Sequence, residues 1–505
     1  MPVVSPLLHD VAIVGYGPTG ALLANLLGQA GLSAVVVERD RAIHALPRAV
    51  HFDGETMRNF QSVGLADQVG AIARPSAQGM HFVNAAGQTL MVRRGREGVG
   101  PQGWANNWYF HQPELEAVLR QGVTRHASVR VLPGHEVVAV GDRGDQAALS
   151  VRATDADAGT TPETLAARYV VGCDGARSLV RRAIGSTTVD LGLHQPWLVV
   201  DMICDTTRPR VQALPPHTVQ WCDPARPMTI VRVNDSRRRW EIMAMPGDDM
   251  DALARPEVFW PMIARWIGPD DATPERAAVY TFHSVVVEGW RRGRLLLAGD
   301  ACHQTPPFLG QGMCAGLRDA ANLAWKLAAV LRGQAGEALL DPYESERAPH
   351  VRTFIELAVR LGAVIQPTDP AIAAERDRRF AEGGTELFDF PQPQLGPGCH
   401  ASGPPPVGSV FQQPLLGDGR RLDDVAGWRF ALLGDDAVLA HLGEATLARL
   451  AALDVAVIAD LSPALEAGLA VHGARALLLR PDRYLMGFAR DEAGIAALLD
   501  LVPAA

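Results

Sequence analysis

The sequence predicts an α/β protein in which a Rossmann-like dinucleotide-binding domain is interrupted by an antiparallel sheet and followed by a small α/β domain. Three observations predict it. Asp10–Asp40 reads as strand, glycine turn, helix and second strand; Trp197–Met245 alternates apolar and polar residues in short runs; Trp428–Val502 intersperses apolar strands with helices.

In DVAIVGYGPTGALLANLLGQAGLSAVVVERD, the apolar run Val11–Val14 enters a turn with Gly15, Gly17 and Gly20, and an apolar helix opened by Pro18 and Thr19 follows through Leu27. The first glycine permits the tight turn, the second lets the backbone approach a pyrophosphate, and the third lets helix and strand pack closely. The helix-terminal N–H groups then face the anion. Gly31 breaks the helix, and the run Ala34–Val37 ends at Glu38, where an acid can hydrogen-bond a ribose hydroxyl.

A polar loop with Arg39, Arg41 and Arg48 comes next, then a helix over Met57–Leu65 with Asp53 at or just before its start. Gly79–Arg93 reads as a hairpin with Ala86-Gly87 near its turn. Gln112 precedes Pro113, and a proline in the first turn makes Gln112 a helix-entry residue. Short strands follow at Val129–Leu132, Glu136–Val140 and Ala148–Ala153; a buried strand, Tyr169–Gly172, runs into Asp174-Gly175, and a helix opens near Ser178. The alternating runs WLVVDMICD, HTVQWCD, MTIVRVND and WEIMAM form the inserted sheet, one face of which covers something. A helix over Glu257–Ile267 and strands within Ala277–Val287 lead to Gly293–Gly333, which reads as strand, Gly299-Asp300, Pro/Gly loop and a long apolar helix over Met313–Leu331. Gly316 inside that helix implies close packing. Helical pattern continues over Tyr343–Val364, and the Pro-, Gly- and polar-rich stretch from Pro367 to Pro414 reads as a linker.

With 47 Lys and Arg against 56 Asp and Glu, the net charge of −9 excludes the basic field that a nucleic-acid surface needs. The six cysteines form no CxxC and, with no metal-ligand cluster in sight, suit reduced thiols in a cytoplasmic protein. No basic segment precedes the first strand, so no signal peptide is expected, and no apolar window of about 18 residues predicts a membrane span.

GYGPTG (Gly15–Gly20), GCDGARS (Gly172–Ser178) and GRLLLAGDACHQTPPFLGQG (Gly293–Gly312) stand in this order, and together they resemble the single-component FAD-dependent aromatic hydroxylases, the class A flavoprotein monooxygenases, over residues 8–365. TPPFLGQGMCAGLRDAANLAWKLA and LPRAVHFD look most like 3-(3-hydroxyphenyl)propionate hydroxylase and its relatives. The tail resembles the thioredoxin-like C-terminal domain that some of them carry; without a CxxC it has no dithiol chemistry and is expected to pack on the main body or on another subunit. The implied plan is an FAD-binding domain from residues 1–78, 101–185 and 284–365, a substrate domain from the hairpin 79–100 and a lid 186–283, a linker 366–414 and a thioredoxin-like domain 415–505.

The resemblance implies FAD contacts at Gly15, Gly17, Pro18, Thr19, Gly20 and Glu38, with Arg39, Arg48, Gln112 and Val137 beside them. Asp174 and Gly175 border the pyrophosphate groove, where Arg177 and Arg181 could bind phosphate or the Asp174 carboxylate. Gly299 and Asp300 end a strand whose carboxylate can reach a ribityl hydroxyl. Pro307, Gly310, Gly312 and Met313 form a loop and helix start with little bulk against a flat isoalloxazine, and the helix dipole there favours the anionic reduced ring.

The implied reaction uses NADH or NADPH, O2 and a flavin C4a-hydroperoxide to hydroxylate a phenol, plausibly a 3-hydroxyphenylpropionate-like acid. The protein must exclude water and help deprotonate the phenol. Candidate bases are Asp53, which an acid in related phenol hydroxylases resembles, His51, Tyr280 and His283, with helix capping the other reading of Asp53. His303 is expected to support its loop. A carboxylated substrate would want a cation from Arg93, Arg94, Arg232 or Arg237–Arg239. Alternatives are a tailoring hydroxylase of a larger polyketide or polyphenol, which needs a wider cavity, a halogenase, against which the lack of WxWxIP counts, and a non-catalytic flavoprotein. The partners expected are a small aromatic and O2, with no nucleic acid or membrane, and a homodimer is an open option.

Overall fold

The computed structural model describes residues 8–43, 48–157 and 159–504. The leading residues on which the signal-peptide expectation rests, and Leu46-Pro47 of the LPRAVHFD motif, lie outside the described residues. Buried Val- and Leu-rich runs build a parallel sheet in the order Leu295–Leu297, Glu163–Gly172, Leu8–Val14, Ala34–Glu38, Val129–Pro133. Strands buried on both faces read as continuous apolar runs, which is why Val11–Val14 and Ala34–Val37 were legible. The strands His135–Asp142 and Ala147–Ala153 join antiparallel to Glu163–Gly172, forming a branch off the main sheet.

The inserted domain is a nine-stranded sheet, and it is mixed rather than purely antiparallel. The hairpin strand Met80–Asn84 pairs in parallel with Thr218–Cys222, and Glu386–Phe388 pairs in parallel with Thr89–Arg93. Its two longest strands, Thr187–Cys204 and Ala272–Glu288, pair antiparallel. One face holds Leu198, Val200, Trp240 and Ile242 against the helix Pro256–Ile263. The other face packs Trp197, Met243, Met80 and Phe82 on Phe308, Leu309 and the helix Pro342–Ile365.

The expected linker is a structured segment. A helix spans Pro370–Gly383, its N-cap Asp369 accepting from Ala371 N at 2.7 Å, and it buries Ala373, Arg376 and Phe380. Asp369-Pro370 is a helix-start signal that the surrounding prolines and glycines obscured. The C-terminal strands run in the order Ala456–Ile458, Ala431–Gly434, Ala476–Leu479, Leu485–Ala489. This domain packs on the main body: Asp423 takes a bidentate bond from Arg58 at 2.5 and 2.7 Å and an ion pair from Arg483 at 3.0 Å, and Phe430 meets the Trp325 ring edge-on.

Candidate active site

The parallel sheet delivers the three motifs to one edge. Val14 is level with Val37 and Gly172, and Gly172 with Leu297, so Gly15, Glu38, Asp174 and Gly299 leave their strands side by side. Ligands of open α/β sheets bind at such carboxyl ends. Gly15 has φ +100°, and a Cβ there would lie 2.5 Å from the Cys173 carbonyl oxygen. A Cβ on Gly20 would lie 2.2 Å from the Gly15 oxygen, and one on Gly316 would lie 2.4 Å from Thr19 Oγ1, so the helices Pro18–Gln29 and Gly312–Leu331 touch through missing side chains.

Gly17 is different: its φ of −71° suits any residue and a Cβ would meet nothing within 4 Å. What its hydrogen keeps clear is the approach to the N-terminus of Pro18–Gln29. Neither that helix nor Gly312–Leu331 has a side-chain cap, so their first N–H groups await an acceptor. Asp174 Oδ1 and Gln311 Nε2 are buried with no hydrogen-bond partner. An open approach beside Gly17, two uncapped helix starts and the unpartnered polar atoms of Asp174 and Gln311 fit a dinucleotide carrying a planar ring.

The other expected contacts line this groove unevenly. Glu38 Oε2 accepts from Tyr16 N at 2.7 Å, which holds the carboxylate beside the glycine turn, while Arg39 is exposed. Gln112 Oε1 accepts from Arg48 N and Ala49 N at 2.7 and 2.8 Å, and the Arg48 side chain reaches Asp300 at 3.6 Å. Asp174 Oδ2 caps the helix Leu179–Ile184, Gly175 (φ +73°) faces open space, and Arg181 donates to the carbonyls of Ala301 and Ala176 rather than to a carboxylate. Val137 sits on the antiparallel branch, opposite Val151. Pro307 opens a short turn that ends at Gly310 (φ +65°), and Gly312 and Met313 begin the long helix.

Over that loop lies a polar cluster. A Cβ on Gly310 would meet His51 Nδ1 at 3.1 Å, so the imidazole packs directly on the glycine. His51 Nε2 is 3.0 Å from Asn107 Oδ1, which also accepts from Arg93 Nη1 at 2.7 Å. An amide oxygen facing a guanidinium fixes the amide orientation, so Nε2 carries the imidazole hydrogen, while Nδ1 faces the Gly310 carbonyl oxygen at a long 3.4 Å. Burial drives the His51 pKa down to about 4, the Arg93 charge adding to it, and the ring is neutral near pH 7.

The sequence profile of the FAD binding domain family matches residues 9–358. A probable NADH-specific resorcinol 4-hydroxylase of Rhodococcus jostii (strain RHA1) is 37% identical, covering 97% of this chain and 93% of the relative. The chain belongs to the FAD-dependent aromatic hydroxylases. A 3-(3-hydroxy-phenyl)propionate/3-hydroxycinnamic acid hydroxylase of Mycolicibacterium smegmatis is 34% identical over 96% of this chain and 91% of its own. The flavin-dependent monooxygenase PieE in complex with FAD and substrate shares the fold at a TM-score of 0.83 and 24% identity, covering 98% of this chain and 99% of PieE. This hydroxylase has, among its described residues, no helix long and apolar enough to cross a membrane and no acidic, His or Cys group placed to hold a metal.

Within the hydroxylase, two candidate bases are engaged in other contacts. Asp53 is the N-cap of Gly54–Ser62: Oδ1 accepts from Thr56 N at 2.9 Å and Oδ2 from Arg318 Nη2 at 2.5 Å. Burial raises its pKa, but the Arg318 charge and the Thr56 N–H outweigh it and hold the carboxyl below its ordinary value. A carboxylate so held is a poor proton acceptor, so Asp53 caps and pairs. Tyr280 lies across from Trp197 with the Arg276 guanidinium 4.8 Å from its ring, in the belt that carries Asp201 and Arg239. His283 meets His194, itself 2.7 Å from Asp190, at a half-exposed edge. His303 Nε2 bonds buried Asp319 Oδ2 at 2.7 Å beneath the Gly299 turn.

The reading missed Asn107, Gln311 and Arg318. Arg318 joins four residues: Asp53, Glu55 at 2.6 Å, Gln311 at 3.1 Å, and through Glu55 the Tyr484 hydroxyl of the C-terminal domain at 2.9 Å. The available signal was Arg318, Asp319, Asn322 and Lys326 standing inside an otherwise apolar helix, where each must find a buried partner. Asp53→Asn should keep the cap and lose the ion pair, lowering stability by about 1–3 kcal/mol in urea unfolding. It should slow flavin reduction and hydroxylation alike; a selective loss of hydroxylation would restore Asp53 as the base.

Proposed function

We propose that this hydroxylase uses NADH and O2 to add one oxygen atom to a small phenol, resorcinol or a 3-hydroxyphenylpropionate-like acid, the second oxygen leaving as water. The activities for which the two relatives are named supply the substrate class and the nicotinamide. Gly15, Gly17, Gly20, Glu38, Gln112, Asp300 and the start of Gly312–Leu331 would hold FAD, which when bound supplies electron uptake from NADH and oxygen transfer to the ring.

The observation that carries the reading is the neutral, buried His51 on Gly310, its Nδ1 facing the Gly310 carbonyl oxygen at a long 3.4 Å. A phenol hydroxyl that takes the place of this long contact and donates to Nδ1 is oriented and made electron-rich, as attack on the ring requires. Trp197, Phe308, Met243 and Phe282 pack over the same loop and exclude water. The relatives at 37% and 34% identity are named for single-ring phenols, which favours such a substrate over a polyketide-sized one. A cytoplasmic location fits the six free cysteines.

The test is NADH consumption by purified holoenzyme with resorcinol, 3-(3-hydroxyphenyl)propionate or no aromatic. Oxidation should rise several-fold with at least one phenol and yield a ring-hydroxylated product. Consumption indifferent to both phenols, ending in hydrogen peroxide, would remove the reading.

A further inference from the structure

Arg93 is 1% exposed at the end of the hairpin strand Thr89–Arg93, on the sheet face turned toward the Gly310 loop. Its Nη1 donates to the neutral Asn107 amide, its Nε has no partner, and its guanidinium lies 4.1 Å from the Phe390 ring centroid. Among the described residues it has no ion pair. The carboxylate it feels is that of Asp53, which Arg318 already holds. A buried cation without an anion is costly unless something else neutralises it, and an aromatic face does so only in part.

The other cations singled out from the sequence for a charged substrate are committed. Arg94 pairs with Asp389, Arg232 with Asp235, Arg237 with Glu275 and Arg239 with Asp201, while Arg238 donates to the carbonyl of Asn234. Arg93 alone of this set faces the imidazole, sharing with it the single Asn107 oxygen. An anion beside Arg93 would therefore lie one amide away from the ring that packs on Gly310.

Resting on the phenol-hydroxylase reading above, we infer that Arg93 is the anion-binding residue for the substrate: it receives a substrate oxygen anion, ring phenolate or side-chain carboxylate, between the nine-stranded sheet and the Gly310 loop. Asn107 is the positioning residue that aims both Arg93 and His51. A planar guanidinium whose Nε is unengaged suits a charge-assisted contact to such an oxygen. Binding the anion completes a charge pair whose cationic half the fold has already buried.

The experiment uses the full-length FAD-loaded enzyme and reads binding separately from turnover, from the change in flavin absorbance on titration with resorcinol, 3-(3-hydroxyphenyl)propionate and 3-phenylpropionate. Wild type should bind at least one of the three. Arg93→Met should raise that Kd by about 10- to 100-fold, the value of a charge-assisted hydrogen bond, with flavin content unchanged. A loss confined to the two acids puts the carboxylate on Arg93; a loss that includes resorcinol puts the phenol oxygen there. Should the Met variant shed FAD, Arg93→Lys takes its place and should still raise the Kd by about tenfold, because an ammonium lacks the planar fork. A flavin-loaded variant that binds as wild type does, or a wild type that binds none of the three, overturns the inference. Binding without turnover, lost on replacing Arg93, supports it while removing the hydroxylase reading.

Discussion

Glu346→Gln should lower the unfolding free energy by about 3–5 kcal/mol, the usual consequence of removing one partner from a buried ion cluster. The Glu346 side chain is fully buried in the helix Pro342–Ile365. It accepts from Lys326 Nζ at 2.6 Å, Asn322 Nδ2 at 2.9 Å and Cys399 N at 2.6 Å, and pairs with Arg480 at 3.0 Å. Arg480 keeps a second carboxylate, Asp482, but Lys326 loses its only acid among the described residues. Burial already pulls the Lys326 pKa down against the pull of Glu346, so the variant should strand or neutralise that amine.

The same cluster sets an acid limit. Burial pushes the Glu346 carboxyl up, but Arg480 and Lys326 outweigh it and bring its pKa down to about 2. A folded pKa below the unfolded one contributes stability that is fully present above the ordinary carboxylate range and is lost as pH falls toward about 2. Wild-type stability should therefore decline across that window more steeply than that of Glu346→Gln. Urea midpoints measured from neutral to acid pH check both statements; equal midpoints for the two proteins would deny the cluster any net role. Because Arg480 belongs to the C-terminal domain and Lys326 to the FAD-binding body, the variant should also expose the segment joining them to proteases.

Gly17→Val should weaken flavin retention while leaving the fold intact. The backbone at φ −71° and ψ −175° is extended and suits valine, and no protein atom lies within 4 Å of the new Cβ. The side chain instead fills the approach to the uncapped helix start, and overpacking of about 1–3 kcal/mol converts to roughly a 5- to 150-fold weaker FAD affinity. The measurement is flavin content after dialysis together with the unfolding midpoint of the apoprotein. A yellow variant with unchanged FAD affinity would refute the role of Gly17, and a collapsed midpoint would assign it to folding. Gly20→Val is the contrasting case, since its Cβ would strike the Gly15 oxygen and the protein itself should suffer.

Signals carried by neighbouring residues were legible, and signals that depend on distant partners were not. The helix start at Ser178 and the close approach at Gly316 followed from a few consecutive residues, and the structure has both. The parallel pairing of Met80–Asn84 with Thr218–Cys222 did not follow, because alternation specifies a face and not a neighbour. The helix Pro370–Gly383 was hidden because its apolar face is short and its surroundings are rich in breakers.

By itself the sequence determined the cofactor side of this hydroxylase: a glycine turn between a buried strand and a helix makes its anion site from contiguous backbone, whatever the rest of the chain does. Only the tertiary structure decided the substrate side. His51, Arg93, Asn107 and Gly310 come from four separate segments, and whether Asp53 takes a proton or caps a helix depends on Arg318, 265 residues away. The physical reason is that backbone N–H groups bind phosphate wherever a helix begins, whereas the protonation state of a side chain is set by the charges that folding brings within a few ångströms of it.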